Sequence, residues 1–373
     1  MSPAALSASA SLLAADVGGT HVRMGLVEAG ADGTPQVMAY AKYRCTDHPG
    51  LDAIAAEFLA DLGNPAVEVA VIASAGHVLE DGTLIANNLP WPLVPAALRA
   101  ALDLRGLYLL NDFAALAHAV GRLGPAELLR LSGPAQGTTG PLLVLGPGTG
   151  LGAALWVPHA GRGLVLPTEA GQAMLAAATD LELELLRRLR GPDRHVPVER
   201  ALSGPGLLNL YRALCALRGT DPVHAQPDAV TAAALDGGEP LARQALEVFC
   251  GLLGGVVGDL ALVYGVQGVY LAGGILPRIA GFLAGSSFRE RFLDKGPMRP
   301  ALERAGWRID HSEAGLYLWA TNGTDCWEQV RVLAENGILV APGEFYGVAG
   351  RGHIRIAVTA TDERIDAAVT RLQ

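Results

Sequence analysis

Residues Ser11–Val27 read SLLAADVGGTHVRMGLV, and this stretch decides the fold. An apolar run ends at Asp16, a turn of Gly18, Gly19 and Thr20 follows, and a second apolar run begins. The pattern predicts a strand, a tight turn and a strand. The exposed amides of such a turn can hold an anion such as phosphate, and Asp16 is placed to hold Mg²⁺ through a water molecule. The alternative is an ordinary hairpin with an acidic residue beside it.

Composition limits the classes of protein that this chain can belong to. Its 373 residues exceed one typical core and predict two or three domains. Half of the residues are hydrophobic and 17% are charged, which is typical of a globular protein. The formal net charge of −9 argues against nucleic acid as a main partner. A small anionic ligand remains compatible, because backbone amides and Mg²⁺ can hold it locally.

The cysteines and the apolar stretches predict a cytoplasmic protein with no membrane segment. The four cysteines lack metal-ligand spacing, which favours free thiols in a reducing compartment. The N-terminal 16 residues have no positive region and run straight into the first strand, so we expect no signal peptide. Residues 248–277 carry a single charge, Asp259, and predict a buried helix followed by a buried strand.

Alternating strands and helices predict an α/β fold with a largely parallel sheet. We predict strands at 67–73, 107–110, 141–145, 153–157 and 267–271, helices at 49–62, 94–102, 114–123, 179–189 and 241–264, and a turn followed by a helix within 199–217. Residues 146–152, GPGTGLG, repeat the opening arrangement of a glycine-rich turn with a threonine between two strands. Two such turns facing each other would hold one polyphosphate from both sides.

Several common catalytic motifs are missing from the sequence. The chain has two lysines, Lys42 and Lys295, and neither lies in the G-x-x-x-x-G-K-[ST] pattern of a P-loop. The glycines at 146, 148, 150 and 152 alternate, which suits a hairpin rather than the strand-to-helix turn of a dinucleotide-binding fold. There is no G-x-S-x-G and no H-E-x-x-H. What remains is phosphate held by two glycine-rich hairpins near acidic residues.

Four blocks, in order, resemble the bacterial glucokinase family, which has the two-lobed hexokinase and actin-like ATPase fold. ADVGGTHVRMGLV and LGPGTGLGAALW resemble its two phosphate motifs, LNDFAALAHAV its catalytic block and VYLAGGILPR its adenosine motif. LPTEAGQ and ERALSGPGLLNLYRAL resemble its sugar-binding blocks. The resemblance covers residues 11–299. Each block alone is weak evidence for the resemblance, and the evidence comes from the order and spacing of all the blocks together.

The resemblance implies phosphorylation of glucose at the 6-hydroxyl, with ATP and Mg²⁺ and with Asp112 as the general base. It implies sugar contacts from Asn111, Asp112, Glu169, Gln172 and Glu199. It implies nucleotide contacts from Asp16, Gly18, Gly19, Thr20, Gly148, Thr149, Gly150, Gly273 and Gly274, with Asp16 also reaching Mg²⁺ through water. The expected partners are glucose and ATP, with a homodimer possible. As alternatives, Asp112 caps the helix after it, and Glu169 and Glu199 are surface or helix-start acids.

The sequence departs from the family at two places. Gln172 stands where the family often has histidine, which leaves hexose selectivity open. Residues 300–373 resemble the C-terminal domain of class I pyridoxal-phosphate aminotransferases, through GLYLWATNGTDCWEQVRVLAENGILVAPGEFYG and HIRIAVTATDERI. In that family the arginine corresponding to Arg355 grips the substrate carboxylate. No lysine follows Lys295, so we expect no pyridoxal phosphate and a structural or solvated Arg355.

The chain therefore looks chimeric, with a junction near residues 298–301. We expect a small lobe over 1–113, a large lobe over 114–299 and an appended α/β segment over 300–373. Residues 307–315 would imitate the strand and turn that close the kinase. An alternative function is a sugar-binding or catalytically impaired homologue, because the usual closing helix is replaced. An aminotransferase is a further alternative.

Overall fold

The computed structural model describes residues 11–30, 34–78, 83–85, 89–131, 139–160, 162–192, 194–295, 302, 305–310, 317–358 and 360–372. The N-terminal segment that bears on a signal peptide and the junction near 298–301 lie outside these residues. The chain divides into two compact units, residues 1–116 and 117–373.

A five-stranded sheet of order β3-β2-β1-β4-β7 organises the first unit. Its strands and the small β5-β6 hairpin are β1 (Ser11–Val17), β2 (His21–Ala29), β3 (Pro35–Arg44), β4 (Val67–Ser74), β5 (His77–Val78), β6 (Leu84–Ile85) and β7 (Gly106–Leu110). The helices are α1 (Leu51–Asp61), α2 (Pro95–Ala101) and α3 (Asp112–Val120), which begins in this unit. β1, β4 and β7 are parallel, as the alternation of strands and helices predicts, and β2 pairs antiparallel with β1.

The core of the first unit lies between this sheet and its helices. Apolar side chains of β1 and β2 pack with the face of α1 that carries Ile54 and Phe58. Burying one such large apolar side chain stabilises the fold by roughly 1.5–3 kcal/mol. This packing fixes the register of β1 and, with it, the position of the turn between β1 and β2.

A four-stranded sheet of order β10-β9-β8-β11 organises the second unit. The strands are β8 (Leu142–Pro147), β9 (Leu151–His159), β10 (Arg162–Thr168) and β11 (Gly268–Leu271). The helices are α4 (Asp180–Leu189), α5 (Gly204–Arg218), α6 (Pro227–Asp236), α7 (Pro240–Tyr264), α8 (Ala280–Gly285) and α9 (Phe288–Leu293). Thr179 and Glu182 form a reciprocal capping box that begins α4.

The helix α7 is the one described helix long and apolar enough to cross a membrane by length and composition. Phe249, Leu253 and Val257 lie in the core of the second unit, and 56% of the most apolar window is buried. The prediction of a buried helix is therefore confirmed. The following strand, β11, is only partly buried, since it forms one edge of its sheet.

The C-terminal residues build a sheet of order β12-β13-β15-β14. Its strands are β12 (Arg308–Ile309), β13 (Tyr317–Thr321), β14 (Ala341–Pro342) and β15 (Ile354–Ala357), and its helices are α10 (Cys326–Glu335) and α11 (Asp362–Arg371). This segment has its own hydrophobic cluster, which includes Trp307, Leu333 and Ile354. Residues 308–309, expected to imitate a strand closing the kinase, belong to this third sheet, and 311–316 lie outside the described residues.

Most predicted elements are confirmed, and a few predictions were wrong. β3, β10 and α6 were not predicted; β3 is an edge strand whose Val37, Met38 and Tyr40 are exposed, so it lacks the expected alternation. In the C-terminal segment, β14 covers only two residues, Ala341–Pro342. Thr361 stands at the N-cap of α11 without capping it, because its hydroxyl bonds the Glu363 carboxyl instead. All four cysteines are free and buried, which the sequence allowed.

Candidate active site

The first glycine-rich turn leaves two amides available for a ligand. The N–H of Gly18 donates to the carbonyl of His21 at 3.0 Å and closes the turn. Among the described residues, no acceptor lies on the amides of Gly19 or Thr20. Two adjacent unpaired N–H groups at a strand-to-strand turn form a concave donor site for an anion.

Asp16 lies two residues before Gly18 and is paired with a basic residue that the sequence pattern did not indicate. Arg23 faces Asp16 across the β1-β2 ladder and its guanidinium lies 2.7 Å from the carboxylate. Both side chains are about half exposed, at 50% and 48%. The described residues contain no group of three or more metal-ligating side chains. A single carboxylate fits magnesium that is held mainly by nucleotide phosphates and water.

Asn111 and Asp112 lie at the start of α3. The Asn111 Oδ1 atom accepts from the amides of Phe113 at 3.0 Å and Ala114 at 3.1 Å, so Asn111 caps the helix. Asp112 Oδ1 also accepts from Phe113, at 2.9 Å. Asp112 therefore contributes to the cap through one of its two oxygens, and Asn111 is the main capping residue.

Burial raises the pKa of Asp112, and the nearby charge of Asp16 raises it further, although the backbone amide of Phe113 opposes both effects. The sheet register explains why the two carboxylates interact. Asp16 pairs with Ala73, and Ala73 pairs with Leu110 on the next strand. Strands lie about 4.8 Å apart, so the ends of β1 and β7 are about 10 Å apart at one edge of the sheet.

The second glycine-rich turn, residues 148–150, is built on a different scaffold. The Gly148 N–H donates to the carbonyl of Gly150 at 2.8 Å. The carbonyl of Gly148 accepts from the N–H of Gly204, the first residue of α5, at 2.8 Å. Within the described part of the chain the amides of Thr149 and Gly150 have no acceptor.

The predicted adenosine loop lies beside this second turn. β11 runs parallel to β8 with Leu271 opposite Leu145, so residues 273–274 leave the sheet next to the second turn. Gly273 has φ +89°, and a Cβ there would lie 2.4 Å from the carbonyl oxygen of Pro147. Only glycine fits such a close backbone crossing. A Cβ at Gly274 would meet no atom within 4 Å.

Glu199 connects the predicted sugar block to the second turn. Its Oε1 accepts from the Gln172 side-chain amide at 2.8 Å, and its Oε2 accepts from the Leu151 N–H at 3.3 Å. A Cβ on Gly150 would lie 2.6 Å from the same Oε2 atom, so the glycine makes room for the carboxylate. The sequence predicted the residues and did not predict this shared contact.

Glu169 follows β10 at the same edge of the sheet. Thr168 pairs with Ala153, which also pairs with Leu145 of β8. The Glu169 side chain is exposed and makes no cap bond to the short helix after it, although its carbonyl accepts from the Gln172 N–H at 2.9 Å. The second unit therefore brings Glu169, Gln172 and Glu199 to one edge with both of its glycine-rich loops.

In the C-terminal segment, Arg355 lies between two aromatic rings. Its guanidinium carbon is 4.0 Å from the centre of the Tyr317 ring and 4.6 Å from that of Tyr346. Such cation–π contacts contribute roughly 0.5–1 kcal/mol each at an exposed position. The two contacts give Arg355 a packing role in this segment.

Comparison with known proteins divides the chain in a similar way. The family model for glucokinase matches residues 13–320. The model for class I and II aminotransferases matches residues 296–372. The two matches overlap over residues 296–320, where the chain passes into its third sheet.

The similar proteins point to the same family. A glucokinase-like protein of Xylella fastidiosa (strain Temecula1) is 54% identical over 310 residues, which is 82% of this chain and 92% of the relative. A glucokinase of Paramagnetospirillum magneticum is 41% identical over 303 residues, covering 80% and 93%. The crystal structure of a glucokinase from an Antarctic psychrotroph has a TM-score of 0.68 and 34% identity, covering 78% of this chain and 91% of that one.

These matches confirm the predicted fold class, and they agree with the order of the four sequence blocks. The family model spans well over half of the chain, and the relatives are covered almost end to end. The chain is therefore an enzyme of the glucokinase family.

Proposed function

We propose that this protein transfers the γ-phosphoryl group of ATP to the 6-hydroxyl of glucose, giving glucose 6-phosphate and ADP. The observation that carries the proposal is the placement of Asp112. Its carboxylate lies at the same edge of the first sheet as a turn with two unpaired amides, and only one of its oxygens is bonded to the helix. The names of the relatives support glucose as the sugar.

In this proposal Asp112 accepts the proton of the sugar hydroxyl as that oxygen attacks phosphorus. A general base works best when its pKa lies close to the operating pH, so the raised pKa of Asp112 favours this role. The bond between the attacking oxygen and phosphorus forms while the bond to the ADP oxygen breaks. The proton moves to the Asp112 carboxylate and is released to solvent after the products leave, which restores the base.

The amides of Gly19, Thr20, Thr149 and Gly150 supply N–H donors to the phosphates. Gly273 and Gly274 let the backbone run close to the adenosine. Magnesium, when bound, offsets the charge on the phosphoryl oxygens. Asp16 is the carboxylate that would reach it through water, and the same carboxylate accepts from Arg23 through its Oδ2 atom.

Asn111, Asp112, Glu169 and Glu199 would bind sugar hydroxyls. Carboxylates accept strong, charge-assisted bonds from hydroxyls and select against analogues that lack them. Gln172 replaces the common histidine and keeps one donor on Glu199, as a neutral imidazole would. Glucose recognition is therefore compatible with the glutamine.

The test is ADP release with ATP, Mg²⁺ and a panel of hexoses, on the full chain. Asp112→Ala should lower kcat by at least about 100-fold, the usual contribution of a general base, with glucose binding by calorimetry largely retained. Asp236→Ala, at an exposed position on α6, is the matched control and should behave as wild type. Unchanged turnover in Asp112→Ala would refute the assignment of the base.

A second candidate is a sugar-binding homologue without turnover. The aminotransferase-like ending, with its own core, is the observation that favours it. Glucose binding with no ADP release from the wild-type chain would support this candidate over the kinase. A new absorbance band on adding pyridoxal phosphate would be required for aminotransferase activity, and we expect none because no lysine follows Lys295.

A further inference from the structure

Cys45 lies directly behind the first glycine-rich turn and is completely buried. Its N–H donates to the carbonyl of Thr20 at 3.0 Å, and its thiol lies 3.2 Å from the carbonyl oxygen of Gly18. Its own carbonyl accepts from the indole N–H of Trp91 at 3.1 Å. One residue therefore holds both ends of the turn and is itself held by a buried tryptophan.

The bond to the Gly18 carbonyl decides where the next amide points. A trans peptide unit is planar, and its C=O and N–H point in opposite directions. The carbonyl of Gly18 and the N–H of Gly19 belong to the same unit. When the thiol draws the carbonyl toward the protein interior, the Gly19 N–H must point away from it, toward the open side of the turn.

A neighbouring contact supports the same orientation. Ser74 is 2% exposed, and its hydroxyl donates to the carbonyl of Val17 at 3.1 Å. The carbonyls of Val17, Gly18 and Thr20 thus all have donors from within the first unit. The amides of Gly19 and Thr20 have no acceptor among the described residues. The side chains behind the turn satisfy its carbonyls and leave its donors for a ligand.

We propose that Cys45 is a positioning residue for phosphate, which aims the Gly19 amide at the nucleotide by bonding the Gly18 carbonyl from behind. The inference rests on the proposed function in that the phosphate is taken to be that of ATP. The thiol must be protonated to donate, and burial raises its pKa, so it stays protonated at neutral pH. Cys45 touches the turn and not the substrate.

The test compares Cys45→Ala, Cys45→Ser and Cys326→Ala. Alanine removes the donor, serine keeps one in a similar volume, and Cys326 is an equally buried cysteine in the C-terminal segment. Removing one hydrogen bond should raise the KM for ATP, and the Kd of a non-hydrolysable ATP analogue by calorimetry, about three- to tenfold. The KM for glucose should not change. Cys45→Ser should recover most of the loss, and Cys326→Ala should match wild type.

Two results would overturn the inference. One is wild-type affinity for the ATP analogue in Cys45→Ala. The other is an equal loss in the alanine and serine variants, with the KM for glucose rising together with that for ATP, which would indicate general loss of packing. A wild-type chain without ADP release would instead count against the proposed kinase function. Analogue binding would still decide the role of Cys45 in that case.

Discussion

The two glycine-rich turns have similar sequences and different supports. The first turn, residues 18–20, is held from behind by Cys45, and the end of the strand before it by Ser74. Neither side chain has a predicted contact with sugar. The second turn, residues 148–150, is held by the first amide of α5, and the strand after it by the carboxylate of Glu199. That carboxylate is also bonded to Gln172 in the predicted sugar block.

The different supports predict different effects of substitutions in the two turns. The first turn is fixed by groups that a sugar does not reach, so a change there should affect the nucleotide alone. The second turn shares a carboxylate with the sugar block, so a change there should affect both substrates. A glycine motif in a sequence does not distinguish these cases, because the supporting residues lie 27 to 57 positions away along the chain.

The largest effect is expected from Gly150→Ala. The new Cβ would lie 2.6 Å from Glu199 Oε2 and would displace the shared carboxylate, which is the flexible end of a side chain. A displacement of about 1 Å can cost 100-fold in rate, so we expect kcat/KM to fall about 100-fold for glucose and for ATP. Steady-state kinetics with each substrate varied in turn will measure it. Gly148→Ala, where a Cβ meets nothing within 4 Å, should lose less. A loss restricted to ATP in Gly150→Ala would break the comparison.

Gln172→Ala should have the next largest effect. It removes the donor to Glu199 Oε1 and leaves that carboxylate held only by the Leu151 amide. We expect the KM for glucose to rise about tenfold, with a smaller rise for ATP. Gln172→His tests whether an imidazole can replace the amide at this position. If the KM for glucose is unchanged in Gln172→Ala, the shared carboxylate does not depend on the sugar block.

The carboxylates of Asp112 in the first unit and Glu199 in the second should respond oppositely to neutral replacements. The pKa of Asp112 in the folded protein is raised above its ordinary 3.8, so ionisation of this group costs stability. The free energy of unfolding is unaffected by this group at pH values below its ordinary pKa. It falls as the pH rises from that value through the raised pKa of the folded protein. Asp112→Asn should therefore increase the apparent Tm at neutral pH by up to a few degrees, and the gain should vanish near pH 3.5.

Glu199→Gln provides the opposite case. Both of its oxygens accept N–H bonds, and an amide would turn its own NH₂ toward one of those donors. One of these hydrogen bonds is partly buried and the other is exposed, so losing one costs about 1 kcal/mol and the apparent Tm should fall by a few degrees. Thermal scans of both variants at pH 7 will measure the two signs. A decrease in both variants would show that the two carboxylates are held alike.

The smallest effect is expected from Gly18→Ala. A Cβ at this position would lie 3.4 Å from the carbonyl oxygen of His21, which is ordinary van der Waals contact. The KM for ATP should change by about twofold or less, a few tenths of a kcal/mol. Kinetics in parallel with Gly150→Ala will show whether the turns differ as described. Equal losses in the two alanine variants would remove the distinction between them.

The sequence predicted the parts of the fold that local pattern determines. Hydrophobic periodicity located β1, β4, α1 and α7, and the glycine spacing located both turns. The edge strand β3 was missed because exposed apolar side chains hide the alternation. Cys45, Ser74 and Gly204 were missed because their contacts depend on tertiary packing, which no local pattern encodes. Arg23 was missed because its pairing with Asp16 depends on the register of the hairpin.

The self-contained core of the C-terminal segment has a consequence for the history of the chain. All of the proposed catalytic and binding residues lie between Asp16 and Gly274, and the last hydrophobic cluster is formed by residues from Leu302 onward. If the proposed function is correct, selection for phosphoryl transfer acts on the first set, and selection for folding of the ending acts on the second. We therefore expect substitutions in the ending to be limited by its own core, and substitutions at the proposed site residues to be limited by the proposed reaction.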